Sequence, residues 1–173
     1  MAKVTFTKLG LKKKDEVKEL MYGENKIEIK QYLPAEEKIA FVQSVLNNSA
    51  DDNNFANPMK IDIYYAIELI TRYTNITFTD KQKEDLPKLY DLFVENGLYD
   101  QICKAIPDEE RITIRAYVLN TIDEFYKQQN SAMGIMEKIT TDYSGLDFDA
   151  SEIRDKLQAG DLGLLKDVLE KLG

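Results

Sequence analysis

Histidine is absent from the 173 residues, and that one gap removes more chemistry than any other. Without it there is no Ser-His-Asp or Cys-His pair, no HExxH zinc site and no histidine general base at neutral pH. Cysteine occurs once, at Cys103, so no internal disulfide can form. Flanked by Ile102, Lys104, Ala105 and Ile106, it reads as a small buried hydrophobe on a helix that packs one face, because no histidine exists to act as its base. No stretch approaches the roughly 20 apolar residues of a membrane span, and the early lysines precede no apolar core of the signal-peptide kind. The expected location is a cytoplasm, with no membrane partner. Neither GxGxxG nor GxxxxGK followed by Ser or Thr occurs, so nucleotide binding has no visible support. Internal repeats and low-complexity segments are absent as well.

What the chain does have is an ordinary globular composition, 43% hydrophobic and 31% charged, at a length that fits one domain with a short appendage. Its net charge of −8 is uneven. Residues 1–30 carry eight lysines and five acids, about +3, whereas residues 31–173 carry fifteen basic and twenty-six acidic side chains, about −11. The body therefore repels nucleic acid. Only the lysine run at residues 12–14 could meet phosphate, and such a run reads first as a solvated turn.

Val4, Phe6 and Leu9 alternate with polar residues, as on a strand with one covered face. Residues 16–22 and 26–33 predict a β-hairpin around Gly23-Glu24-Asn25, with Ile27 and Ile29 on its apolar side. Tyr32, beside Leu33-Pro34, reads as a plug between the hairpin and the first helix. A helix is predicted from about Pro34 to Asn47, followed by a polar loop through Asn54. From Met59 to Tyr73 the pattern is apolar around most of its circumference, which places that helix at the centre of the fold. Thr79 or Asp80 can cap the next helical turn, Pro87 opens a helix stopped by Gly97, and residues 98–106 form a short one ended by Pro107. After the acidic start Asp108-Glu109-Glu110, a stripe of Ile114, Val118, Ile122 and Phe125 predicts a long helix. It reaches to about Tyr143, with a possible break near Asn130, Ser131 or Gly134. The last piece, Ser144 to Gly173, reads as an acidic helical hairpin whose second helix is striped by Leu162, Leu165, Leu169 and Leu172. It can dock on the body or on another chain, a second copy included. The fold class is mainly α (α+β), a hairpin or small antiparallel sheet before a helical bundle. The single domain is 1–143 and the appendage 144–173.

The residues announce no catalytic, cofactor or metal site. Asp51-Asp52-Asn53-Asn54 and Asp147-x-Asp149-x-Ser151 resemble the first ligands of a calcium loop but lack its glycine and final glutamate, so turn and cap chemistry accounts for them better. The pairs Glu36-Glu37 and Glu109-Glu110 sit where acids complement a helix dipole. The ten tyrosines offer large contact area at small entropic cost; Tyr64, Tyr65, Tyr73, Tyr90 and Tyr117 fall in helices as core or core-edge residues.

A lysine-rich β start, the run Ile27-Glu28-Ile29-Lys30-Gln31-Tyr32-Leu33-Pro34 leading to Glu37-Lys38, then Tyr73-Thr74-Asn75-Ile76 and Tyr90-Asp91-Leu92 near Gly97-Leu98, resembles small proteins of phages of Gram-positive hosts. In layout, over about residues 1–140, it is similar to phage tail assembly chaperones and related virion-morphogenesis proteins. The resemblance implies a non-enzymatic protein without cofactor that binds a phage structural component in the host cytoplasm or on the virion. Its contact surface would be the hairpin end, Tyr32 and Leu33, or the C-terminal piece, Phe148, Leu162, Leu165 and Leu169. A second expectation uses the acidity: an acidic phage protein can inhibit a host nuclease, a CRISPR nuclease included, by offering carboxylates in place of DNA phosphates. Interspersed lysines weigh against it.

Overall fold

A computed structural model describes residues 3–12, 16–50, 56–129, 131 and 134. The element order is a 3-10 turn at Phe6–Leu9, then β1 (Val17–Tyr22), β2 (Asn25–Lys30), α1 (Ala35–Asn48), α2 (Pro58–Tyr73), α3 (Asp80–Lys83), α4 (Leu86–Glu95), α5 (Leu98–Ala105) and α6 (Asp108–Gln129). The mainly α fold behind an N-terminal two-stranded antiparallel sheet is the one the sequence predicts. The chain divides into two compact units, Met1–Asn120 and Thr121–Gly173. The appendage predicted at 144–173 lies outside the described residues. No helix among the described residues is long and apolar enough to cross a membrane.

The hairpin pairs Tyr22 with Asn25 across a two-residue turn, where Gly23 takes the positive φ of 59° that a side chain resists. Alternation then fixes its faces: Ile27 and Ile29 are buried while Glu28 and Lys30 are exposed. A two-stranded ribbon is marginal alone. Here it is held from the far end of α2, where Asn75 accepts the Glu28 N–H through Oδ1 at 3.1 Å and its own N–H donates to the Glu28 carbonyl at 3.3 Å. Gln31 adds a second tie, its Nε2 donating to the carbonyls of Ile29 and Ala105.

One expected strand is not there. Val4, Phe6 and Leu9 lie on a 3-10 turn and its approach, ended by Gly10 at φ 61°, and all three are exposed. Alternation yields a strand only where a neighbouring strand takes up its backbone groups, and among the described residues β1 pairs with β2 alone.

The helices follow their local signals. Asn57 caps α2 by accepting from the N–H groups of Met59 and Lys60, with Pro58 in the first turn. Thr79 and Gln82 form a capping box on α3, and Asp85 caps α4. Gly97, at φ 68°, joins α4 to α5. The near-complete apolar girth of α2 has a physical reason, because it is covered from two sides. Phe41 of α1 meets Tyr65 edge to face at 5.3 Å, while Ile63 and Ile67 pack with Leu89 and with Phe78, Tyr90 and Phe93. Its interior charge Glu68 accepts from Ser44 of α1 and from Arg72 one turn on. In the second unit, Lys127 pairs with Asp123 and Glu124, and Phe125 lies edge to face with Tyr126. α6 is described through Gln129, and beyond it the Ser131 amide and hydroxyl both donate to the Gln128 carbonyl.

Candidate functional site

Two places in the first unit depart from a merely sufficient fold. One is polar and buried. Glu110, on the first turn of α6, accepts the Leu33 N–H at 2.9 Å, the Tyr73 hydroxyl at 3.0 Å and the Lys38 ammonium at 2.8 Å. Three elements meet on one carboxylate. The Tyr73 phenol is pushed well above its ordinary titration range, first by burial and then by the Glu110 charge beside it. Every donor is matched, so this cluster is structural in character. From the sequence, Glu110 reads as a dipole-complementing acid only.

The other is a groove of about 590 Å³. Asp62 and Tyr65 reach it from α2, Tyr90 from α4, and Tyr99 and Cys103 from α5, one turn apart. The α6 wall brings Arg111, Ile112, Arg115, Ala116 and Leu119. The Arg115 guanidinium lies over the Tyr65 ring, 4.8 Å from its centre, and its Nη2 pairs with Asp62 at 2.7 Å. Arg111 pairs with Asp108 at 2.6 Å, its carbonyl accepts the Tyr65 hydroxyl, and its Nε is buried without an acceptor among the described residues. Tyr90 and Tyr99 stand 6.4 Å apart and tilted.

Burial raises the Tyr65 phenol to about 12 and pushes Tyr99 up further. The Cys103 thiol is also raised by burial, against the opposing pull of the Tyr99 hydroxyl bonded to it. At neutral pH Tyr65 and Tyr99 therefore keep their phenol protons and Cys103 its thiol proton, beside the guanidiniums of Arg111 and Arg115 and the Asp62 side chain. That set can stack, donate hydrogen bonds and hold an anion. Cys103 is half-buried in this wall rather than enclosed in a core as its neighbours suggested.

The residues singled out in the sequence as contact points lie elsewhere. Tyr32 is 58% exposed, with the Lys38 ammonium 4.1 Å over its ring, whereas Leu33 is fully buried. The plug between hairpin and α1 is Leu33, and Tyr32 faces out above it. Phe148, Leu162, Leu165 and Leu169 lie outside the described residues, as do both acidic runs that mimic calcium loops. Among the described residues no three His, Cys, Asp or Glu side chains gather as a metal site would need. Missed altogether were Tyr99, Arg111 and Arg115. Their signal was present as an i, i+4 repeat on each helix, Tyr99 with Cys103 and Arg111 with Arg115, but nothing local says that the two faces meet.

A further surface is apolar. Val4, Phe6, Leu9 and Leu11 are exposed, Phe6 to 75%, and Val17 and Met21 of β1 continue the series. Comparison with known protein families, with curated proteins and with solved structures finds no match to this chain.

Proposed function

We propose that the chain is a non-enzymatic protein-binding factor, acting on a phage structural component during tail or virion assembly. The observation that carries the protein-binding part is the concentration of exposed large apolar side chains before residue 22, four of them between Val4 and Leu11. Such density on a folded surface marks a region that another chain covers. The phage assignment rests on the resemblance in segment order alone.

The inhibitor alternative draws on the acidity, but many described acids are matched locally, Glu19 with Lys26, Glu37 with Lys30, Asp100 with Lys104 and Asp108 with Arg111. Matched acids make a poor phosphate strip. A pull-down with the full chain from infected cells tests both. Recovery of a tail or capsid component by the native chain, and its loss when Val4, Phe6, Leu9 and Leu11 are all changed to Ser, supports assembly. Recovery of a host nuclease supports inhibition, and recovery of neither sinks both.

A further inference from the structure

Resting on that protein-binding reading, we propose that the groove lined by α2, α4, α5 and α6 seats a second partner segment of defined chemistry: an acidic amphipathic peptide, with an apolar or aromatic anchor next to a carboxylate. A volume of about 590 Å³ lies within the range of built ligand sites and suits a few side chains. Tyr90 and Tyr99, tilted toward one another, offer faces for an apolar anchor at small entropic cost.

Charge selects the other half of the ligand. In a chain of net charge −8, the groove holds two arginines against the single carboxylate of Asp62. Each guanidinium carries five N–H donors. Arg115 commits Nη2 to Asp62 and Arg111 commits Nη2 to Asp108. The remaining N–H donors on the terminal Nη groups can take an incoming carboxylate in a two-pronged pair. The Arg115–Asp62 pair is partly open to solvent, which screens it and limits the cost of sharing the arginine with a ligand.

The wall also has length. Ile112, Ala116 and Leu119 follow one another at i, i+4 and i+7 along α6, roughly 10 Å at the helical rise. Ile112 is 65% exposed and Leu119 is exposed as well. A strip of that length outruns a compact metabolite and matches a peptide laid along a helix. A nucleic acid could also stack on tyrosines and pair with arginines, but it brings a phosphate at every nucleotide into the surrounding negative field, where the peptide needs only one carboxylate at the arginines.

The full chain is panned against two displayed libraries of short linear peptides. One is built from Leu, Ile, Phe, Tyr, Ser, Asp and Glu; in the other, Lys and Arg replace the acids. The expected result is enrichment from the acidic library only. A selected peptide, synthesised, then slows iodoacetamide labelling of Cys103, the single thiol, by about tenfold at saturation. It also loses at least about tenfold in affinity, roughly 1.4 kcal/mol, for Arg115→Gln and for Tyr90→Ala. Lys104→Ala, on the outer face of α5, binds as the native chain does. Where thermal melting shows that a groove variant does not fold, Ile112→Ser and Leu119→Ser on the exposed rim replace it. Enrichment of the basic library, no enrichment, a peptide that leaves Cys103 labelling unchanged, or protection by an oligo-dT strand in place of the peptide overturns the proposal. A virion component still captured through residues 4–11 would leave the assembly reading standing while this one fell.

Discussion

Glu110 follows Asp108 and Glu109, and the three together look like a helix start dressed for its dipole. Only the spacing to Ile114 and Val118, four and eight residues on, hints that Glu110 shares their buried stripe. Because its carboxylate satisfies three donors, Glu110→Ala should cost roughly 3–5 kcal/mol in urea unfolding, the scale for breaking a buried pair. Glu110→Gln, which keeps the shape and one acceptor, should cost about 1–3 kcal/mol. The tyrosines give a pH signature of known sign. Tyr65 moves from an ordinary 10.0 to about 12 in the folded chain, and Tyr73 and Tyr99 move the same way, all chiefly by burial. Above pH 10.0 the unfolded chain releases these protons and the folded chain holds them, so the stability they contribute is complete below that value and drains away toward pH 12. Thermal midpoints should therefore fall steeply above pH 10, with tyrosinate absorbance rising in step with unfolding. A flat midpoint across that window would refute the burial of these phenols. Single residues were legible where their role is local and opaque where it depends on what folds against them.

Elements were read well from caps and breakers. Thr79, Pro87, Gly97 and Pro107 each act within a turn of themselves, and the helices they bound appear close to where those signals put them. The strand expected from Val4, Phe6 and Leu9 failed for the complementary reason, since alternation describes one partner of a pair and says nothing of the other. Asn75 shows the same blindness in reverse. It looks like a helix stop, yet it serves β2 as a fragment of a third strand, 47 residues from Glu28. Asn75→Ala removes the side-chain bond and should cost about 1 kcal/mol, with amide exchange at Glu28 rising well above that in α2. Unchanged exchange at Glu28 would mean that the Asn75 side chain does not hold the hairpin there. Phe41→Ala, which empties a fully buried site against Tyr65, should cost about 3–5 kcal/mol in the same urea assay.

At the scale of the molecule, the asymmetry of charge is the property most plainly written in the sequence, and the meeting of α2, α5 and α6 around the groove is the least. The buried apolar residues of the first unit run from Ile27 to Val118. A chain ending at Tyr143 should therefore keep a single cooperative transition in calorimetry, and loss of that transition would make residues 144–173 part of the core.

The clasp on the hairpin has a consequence in time. Leu33 waits for Glu110, 77 residues later, and Gln31 for Ala105, 74 residues later. A chain made from its N-terminus releases the ribbon and its apolar flank from the ribosome well before the groups that fasten them are synthesised. Throughout that interval Val4, Phe6, Leu9 and Leu11 are on offer to whatever binds nascent chains, and a partner translated alongside can engage them before the helical body has formed.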